Sequence, residues 1–294
     1  MKTCNINWTN WEPLKKIGKN HNIPSESGLY RIRIKDHQNL SYIGETGSSL
    51  RQRLGQLSNG IYKNYMPYRA PHTAGPAFWS LLQRDSVHLE ASVSPCTSLS
   101  KPERKGFECL AIYEHRKKFD ISPTFNFGRM PLGFRMSSSN DKKLTAAGNR
   151  FRGGPVNELL ECHEKGTTPF KEIENLEASD NHILNMNWSK WQKNRSLSNL
   201  SGSEYGLYIL KQENKLDFLY VGEGKIKDRI STHFKKGFNK EHSQYSFFKN
   251  TNNISFSFYI DNDLKKFQRL ELENDLIGCH LRKFQKVPKA QFLG

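Results

Sequence analysis

The stretch SGLYRIRIKDHQNLSYIGETGSSLRQRL, residues 27–54, predicts a two-stranded hairpin that runs directly into a helix carrying an arginine. The stretch YGLYILKQENKLDFLYVGEGKIKDRI, residues 205–230, repeats this order of Gly-Leu-Tyr, polar turn, Tyr-(Ile/Val)-Gly-Glu and arginine. Each copy has two tyrosines 12 residues apart: Tyr30 with Tyr42, and Tyr208 with Tyr220. The even spacing around a turn predicts that both phenols project from one face of the hairpin, roughly opposite each other across the strands.

Two helices are predicted after each hairpin. In copy one, Leu50, Leu54 and Leu57 recur at i, i+4 and i+7 within residues 49–57 and predict a buried stripe, with Arg53 beside it. Arg229 holds the equivalent position in copy two. Further strands are expected at residues 87–93 and 254–260, and further helices at 101–119 and 264–284.

The second helix of each copy carries a glutamate on its apolar face. At spacing i, i+3, i+4, i+7 the two sets are Glu108, Ala111, Ile112, His115 and Glu273, Leu276, Ile277, His280. Burying a carboxylate without a cation is costly. Each glutamate is therefore expected to meet either a metal ion or, as a structural ion pair, Arg53 or Arg229.

The copies differ between these helices. Copy one inserts NGIYKNYMPYRAPHTAGPAFW, residues 59–79, which is rich in aromatic, basic and turn residues. A loop of this length inside a compact domain is usually functional. Both copies end in a similar tail, in which Asn126 corresponds to Gln291.

The repeat divides the 294-residue chain into a first domain at 1–128, a basic segment at 129–180 and a second domain at 181–294. The basic segment contains six cations near its start: Arg129, Arg135, Lys142, Lys143, Arg150 and Arg152. It is interpreted either as a linker or as a strap that runs along a phosphate backbone.

The composition points to a polyanionic partner. A net charge of +16 and a pI near 9.6 favour nucleic acid over a membrane surface. No apolar run reaches the roughly 18 residues of a membrane span, and the N-terminal residues lack the apolar stretch of a signal peptide, so we expect a cytoplasmic protein. The five cysteines are scattered without a Cys-x-x-Cys pair, which argues against a disulfide framework and a zinc site.

Gly28-Leu29-Tyr30 and Tyr42-Ile43-Gly44 resemble the paired signature of the GIY-YIG nuclease superfamily, and copy two resembles it as well. Leu29, Leu207 and Val221 replace isoleucines of that signature, which are conservative apolar changes. The resemblance implies an α+β protein with two GIY-YIG-like domains, each a small antiparallel three-stranded sheet flanked by helices.

The resemblance also implies roles for individual residues. A tyrosine activates water within a polar network, an arginine binds the scissile phosphate, a glutamate holds Mg²⁺ (or Mn²⁺), and a terminal asparagine supports the site. Copy one offers Tyr30, Tyr42, Arg53, Glu108 and Asn126, and copy two offers Tyr208, Tyr220, Arg229 and Glu273. Many members carry a histidine one turn beyond the arginine. His233 matches it, whereas copy one has Leu57 there and His72 of the insertion is the candidate.

The function implied is a Mg²⁺-dependent endonuclease that cuts double-stranded DNA. The segments HTAGPAFW and PTFNFGR resemble the restriction-endonuclease branch. We expect Glu108 to support the main cut, with copy two acting as a second site or as a clamp, so that a monomer could hold two active sites. The alternatives are a nucleic-acid-binding protein with one or both modules inactive, and a structural protein whose tyrosines and glutamates complete hydrogen-bond networks.

Overall fold

The structure is a computed structural model that describes residues 6–67, 72–137, 153–171 and 186–293. The chain forms two compact units. The first comprises Met1–Leu99 and Ile121–Gly166, and the second comprises Ser100–Asp120 and Thr167–Gly294. This division differs from the predicted segments 1–128, 129–180 and 181–294, because the helix predicted at 101–119 packs within the second unit.

The first unit is built on an antiparallel sheet of four strands in the order β1-β4-β2-β3. The strands are β1 (Glu12–Pro13), β2 (Gly28–Ile34), β3 (Leu40–Thr46) and β4 (Leu89–Pro95). Two helices accompany it, α1 (Leu50–Ile61) and α2 (Gly75–Arg84). Ser49 caps α1 by accepting a hydrogen bond from the Gln52 N–H at 3.1 Å, which fixes where the helix begins after the hairpin.

The core of the first unit lies between α1 and the sheet. Leu50, Leu54 and Leu57 are all buried, so the predicted stripe is confirmed. They share one apolar cluster with Tyr30 of β2 and Phe78 of α2. The tyrosine of the first triplet therefore points at α1 and belongs to the core.

The second unit repeats this arrangement with a sheet in the order β7-β10-β8-β9. Its strands are β7 (Gln192–Lys193), β8 (Tyr205–Gln212), β9 (Phe218–Lys225) and β10 (Ile254–Ile260). Its helices are α3 (Lys101–Phe119), α4 (Ile226–Lys236), α5 (Tyr245–Phe248) and α6 (Lys266–Phe284). Alternate residues of β8 lie in two separate clusters, Tyr208 with Ile230 of α4 and Leu207 with Leu276 of α6. The sheet thus has α4 on one face and α6 on the other.

The predicted α+β class with antiparallel sheets is confirmed. Each sheet has four strands rather than the predicted three, because the two-residue strands β1 and β7 pair with the outer edges of β4 and β10. Both short strands follow similar segments at the start of each copy, NWTNW at residues 7–11 and NWSKW at residues 187–191. Trp11 stacks on the Arg31 and Arg33 guanidinium groups at 4.5 and 4.1 Å, and this contact holds the entering segment on the sheet.

Helices α3 and α6 approach each other closely in the second unit. A Cβ atom at Gly278 would lie 2.7 Å from Tyr113 Cβ, so a larger residue does not fit at this crossing. Arg116 of α3 is fully buried. Its Nε lies 2.8 Å from Asp275 Oδ1 and its Nη1 lies 3.5 Å from Glu271 Oε1. The pair of helices is therefore joined by a buried cluster of opposite charges.

The basic segment begins as part of the first unit. The strands β5 (Phe134–Arg135) and β6 (Gly154–Pro155) pair as a two-stranded antiparallel sheet, and Phe134 belongs to the core of the first unit. Arg129 donates to the Glu164 carbonyl at 2.6 Å, and Arg135 pairs with Glu158. The remaining predicted contacts to nucleic acid lie outside the described residues: Lys142, Lys143, Arg150 and Arg152. Within the described ranges, no helix is both long and apolar enough to cross a membrane.

Candidate active site

The motif tyrosines of each copy stack on one face of the hairpin, as predicted. The ring centroids of Tyr30 and Tyr42 are 6.1 Å apart, and those of Tyr208 and Tyr220 are also 6.1 Å apart. Tyr30 and Tyr208 are almost completely buried, whereas Tyr220 is partly accessible. The two units therefore place the same pair of phenols in the same mutual arrangement.

The phenols are diagonal neighbours rather than directly opposite, which corrects the expected register. Tyr42 pairs with Ile32, and Tyr30 pairs with Gly44. A Cβ atom at Gly44 would lie 2.5 Å from Tyr30 Oη, so the phenol lies directly over this glycine. Gly222 in copy two has the same relation to Tyr208. The final glycine of Tyr-Ile-Gly or Tyr-Val-Gly has no side chain, and this leaves the space that the tyrosine of Gly-Leu-Tyr occupies.

A histidine contacts the buried phenol in both units, although the two histidines come from different parts of the fold. His233 belongs to α4, and its Nε2 lies 3.0 Å from Tyr208 Oη. His72 precedes α2 in the insertion, and its Nε2 lies 2.8 Å from Tyr30 Oη. Copy one has Leu57 at the position equivalent to His233, and His72 supplies the contact to the phenol instead.

The hydrogen bonds at Nδ1 assign the same tautomer to both histidines. The Ala74 N–H donates to His72 Nδ1 at 3.3 Å, and Lys236 Nζ lies 3.3 Å from His233 Nδ1. Burial, helped by nearby Arg53 and by Lys236, lowers the pKa of each histidine to about 3, so both rings are neutral at pH 7. The single proton of each ring then resides on Nε2 and is donated to the tyrosine oxygen.

The Tyr208 oxygen of the second unit has a second hydrogen-bond donor besides His233. Arg229 hydrogen-bonds to Tyr208, which would favour a phenolate, but burial has the larger effect and raises the pKa of Tyr208 well above its ordinary value. Burial, followed by the charge of Glu273, raises the pKa of Tyr220 to about 12. Both phenols therefore carry their protons at pH 7, and additional positive charge is required to make either one a base.

Glu273 lies within the electrostatic reach of this cluster. Burial and the neighbouring charge of Glu223 raise the pKa of Glu273 to about 8, against an opposing effect of Arg229. Glu223 in turn accepts a hydrogen bond from Arg269 Nε at 3.0 Å. Arg269 and Glu223 thus form an ion pair, which is not the predicted alternative of a pair between Glu273 and Arg229, and Arg229 hydrogen-bonds to the phenol instead.

Carboxylate oxygens are the ligands that Mg²⁺ prefers, and one or two of them suffice when water and phosphate complete the octahedron. Among the residues that the structure describes, no three His, Cys, Asp or Glu side chains are grouped as a metal site. Glu273, with Glu223 beside it, fits a Mg²⁺ ion that keeps most of its water. Burial makes ionisation of Glu273 costly, as its raised pKa indicates, and a bound cation would offset that cost.

Glu108 and Asn126, both predicted for the site of copy one, are placed differently from the tyrosines, arginine and histidine of that copy. Glu108 belongs to α3 in the second unit, where both Glu108 and Glu273 contribute, after burial, to raising the pKa of the Cys109 thiol. Asn126 uses its amide on the backbone of Ile43, accepting from the N–H at 3.0 Å and donating to the carbonyl at 2.9 Å. Gln291 accepts from the Val221 N–H in the same way. The tails of the two copies therefore hold in place the strands that carry Tyr42-Ile43-Gly44 and its counterpart, which are β3 and β9.

Sequence reasoning did not assign Glu223, Lys236 or Arg269 to the site. A signal for Glu223 was present, because both copies continue the second triplet with glutamate, at Glu45 and Glu223. Arg269 also has a counterpart, because Arg104 lies four residues before Glu108 as Arg269 lies four residues before Glu273, whereas Lys236 aligns with Gly60 and has none. The roles of Lys236 and Arg269 follow from helix geometry, which brings Lys236 one turn beyond His233 and Arg269 one turn before Glu273.

Glu273→Gln is expected to stabilise the protein at alkaline pH. Because the folded-state pKa of Glu273 is raised from 4.5 to about 8, the native protein loses stability as pH rises through this window. Glutamine removes that loss, so the free energy of unfolding at about pH 9 should increase by on the order of 2 kcal/mol. Urea denaturation across the pH range measures the difference, with exposed Glu241→Gln as the matched control.

The same variant tests the cation site without any assay of activity. Mg²⁺ is expected to raise the melting temperature of the native protein at alkaline pH and to leave that of Glu273→Gln unchanged. Parallel pH curves for the two proteins, or an equal response to Mg²⁺, would contradict the role assigned to Glu273.

Comparisons of the chain with protein-family models, with curated proteins and with solved structures found no match.

Proposed function

We propose that the protein is a Mg²⁺-dependent endonuclease of the GIY-YIG type that hydrolyses phosphodiester bonds of double-stranded DNA, in restriction or defence. One observation carries the proposal. Two hairpins in one chain each hold a stacked tyrosine pair against a histidine that donates from Nε2, beside an arginine at the start of the following helix. Chance does not readily produce this set twice, with the histidine drawn from different elements.

The arginines suit the binding of a phosphate. Arg229 remains exposed while one of its donors contacts Tyr208. A guanidinium has five N–H donors in a rigid fork, so others remain to bind phosphate oxygens in a bidentate manner. The phosphate would then lie next to the phenol, with the net charge of +16 attracting the DNA backbone.

Hydrolysis also requires a proton acceptor for the attacking water. Tyr208 Oη already accepts hydrogen bonds from His233 and Arg229, and both hydrogen bonds strengthen when the oxygen becomes negative. The phenol can therefore release its own proton to solvent and take one from water once positive charge offsets its burial. His233 holds the phenolate as a donor, since Lys236 directs the proton of the imidazole to Nε2.

Glu273 and Glu223 would hold the divalent ion, which supplies positive charge to the phosphate and to the phenols when it is bound. In the first unit, Tyr30, Tyr42, Arg53 and His72 form the corresponding set. Two such sets in one chain would cut both strands without a second protomer.

The proposal is tested by incubating the protein with supercoiled plasmid and Mg²⁺, with EDTA as the control. Conversion to nicked and linear DNA only in the presence of Mg²⁺ is expected. The absence of Mg²⁺-dependent cleavage of any DNA or RNA would refute the proposal.

One observation favours a second candidate function, a DNA-binding protein with inactive modules. Tyr30 and Tyr208 are only 1% and 0% exposed, which leaves little access for the attacking water. A salt-sensitive gel shift that leaves the DNA intact in the presence of Mg²⁺ would support this candidate.

A further inference from the structure

The two copies hold their site histidines in the same tautomer by different means. In copy one, the donor to His72 Nδ1 is the backbone N–H of Ala74. In copy two, the donor to His233 Nδ1 is the side-chain ammonium group of Lys236, at 3.3 Å. An ammonium group titrates in the alkaline range, whereas a backbone amide does not. The tautomer of His233 therefore depends on a charge, and that of His72 does not.

Lys236 is held in place by a buried glutamine. Its Nζ donates to Gln244 Oε1 at 2.6 Å. Gln244 Nε2 donates to the Ala290 carbonyl at 2.7 Å, so the amide oxygen has to face the lysine. Ala290 is fully buried, and its own N–H donates to the Leu219 carbonyl of β9 at 2.9 Å. The ammonium group is thus fixed between an anchored amide oxygen and the imidazole.

Other cations and both phenols of copy two lie near this pair. The His233 ring lies against the two tyrosine rings of β8 and β9, with centroids 5.8 and 4.1 Å away. Burial, and after it the charge of Arg229 on the same helix, lowers the pKa of Lys236. Burial is also the main cause of the low pKa of His233, and His242, which precedes α5, adds to it together with these two cations. Lys236 therefore loses its charge at a lower pH than an exposed lysine.

Loss of the Lys236 charge would allow the hydrogen bond between His233 and the phenol to reverse. An uncharged amine has a lone pair and can accept a hydrogen bond from an Nδ1–H group, whereas an ammonium group can only donate. The Nε2 atom then needs no proton and can accept a hydrogen bond from the buried Tyr208 hydroxyl. A lone pair on Nε2 repels a phenolate, whereas an N–H group stabilises it. The donor that the proposed chemistry requires is therefore secured only while Lys236 is charged.

We propose that Lys236 is a positioning residue whose charge keeps copy two active and on which copy one does not depend. The chain would then hold two sites of different alkaline sensitivity, and the product would shift from linear toward nicked plasmid as Lys236 loses its charge. This inference rests on the proposed function, because the direction of this hydrogen bond matters only if Tyr208 takes a proton from water.

The first test observes the tautomers directly and needs no cleavage. Proton–nitrogen NMR of ¹⁵N-labelled histidine side chains shows which ring nitrogen carries the proton, and His233→Gln and His72→Gln assign the two sets of signals. Both rings are expected to carry the proton on Nε2 at pH 7. Towards about pH 10, close to the ordinary pKa of lysine, the Nδ1–H form of His233 should appear while His72 stays unchanged.

Variants separate the charge of Lys236 from its shape. Lys236→Met has no donor, so its His233 should show the Nδ1–H form already at pH 7. Lys236→Arg carries a charge that is not lost in the alkaline range, so His233 should keep the Nε2–H form at about pH 10. Lys235→Met, at the exposed neighbouring position, is the matched control and should behave like the native protein.

A plasmid assay at pH 7 measures the consequence for cleavage. Lys236→Met is expected to convert nicked to linear plasmid about tenfold more slowly than the native protein, because the phenolate loses a hydrogen bond from a fixed donor. The first cut, made by copy one, should keep its rate. Lys236→Arg should restore the second cut, and Lys235→Met should cut both strands normally.

The outcomes distinguish this inference from the proposed function. A native His233 that keeps the Nε2–H form up to about pH 10, or an unchanged tautomer in Lys236→Met, would overturn this inference and leave the proposed function standing. Linearisation by Lys236→Met at the native rate would overturn it as well. A native protein that cleaves no DNA would refute the proposed function, whatever tautomers the NMR spectra show.

Discussion

Plasmid cleavage is expected to fall by about a thousandfold or more when Glu108 and Glu273 are both replaced by alanine. The double variant removes Glu273, which fits a divalent ion in the second unit, together with Glu108, which the resemblance implies as the ligand for copy one although its helix belongs to the second unit. Stabilisation of the charged transition state by a metal ion contributes several kcal/mol, and about 4 kcal/mol corresponds to a factor of about a thousand in rate. The measurement is the initial rate of loss of supercoiled plasmid at saturating Mg²⁺.

The single variants distinguish the contributions of the two copies to cleavage. If each copy cuts one strand, Glu108→Ala and Glu273→Ala should each accumulate nicked circles. If copy two is only a clamp, Glu273→Ala should still produce linear DNA while Glu108→Ala is inactive. Glu114→Ala, on the same helix as Glu108 but exposed, is the matched control and should cleave normally. Complete linearisation by the double variant would exclude both glutamates from the mechanism.

Arg116→Met is expected to destabilise the second unit by about 3–5 kcal/mol. Arg116, Glu271 and Asp275 are all buried, so the variant leaves two carboxylates without their counter-charge. The Thr167 and Phe170 N–H groups donate to these carboxylates and cannot replace the guanidinium. The loss should be larger at pH 8 than at pH 5, because burial raises the pKa of Asp275 to about 6 and its carboxyl group takes up a proton at the lower pH. Urea denaturation at the two pH values measures it.

The matched control is an exposed ion pair between the same two helices. Arg282 Nη1 lies 2.7 Å from Glu114 Oε1, and both side chains are more than 40% exposed. Arg282→Ala should cost less than about 1 kcal/mol, since solvent screens such pairs. Equal effects of the two variants would show that the buried cluster contributes no more than surface charge does.

The parts of the fold that depend on short-range periodicity were predicted correctly from the sequence. The alternation along each strand placed the tyrosines on one face, and the spacing of Leu50, Leu54 and Leu57 predicted the buried side of α1. The register was predicted less well. Whether Tyr42 lies opposite Tyr30 or opposite Ile32 depends on how the phenol fits over Gly44, which is a matter of packing.

Contacts over long separations in the chain could be anticipated only as candidates. His72 and Tyr30 are 42 residues apart, and the insertion between them has no periodicity that predicts its path. The association of α3 with α6 was missed for a similar reason. Each helix has an apolar face suited to its own sheet, and the partner of Arg116 lies 159 residues away.

The repeat in the sequence and the unit that folds do not coincide, and this affects how the protein can be dissected. A gene fragment that encodes residues 181–294 would omit α3 and with it the guanidinium that neutralises Glu271 and Asp275. A fragment that encodes residues 1–128 would carry α3 without α6. Each truncated product would expose an apolar helix face beside uncompensated charge, which favours aggregation. The two duplicated modules therefore have to be expressed together as one chain.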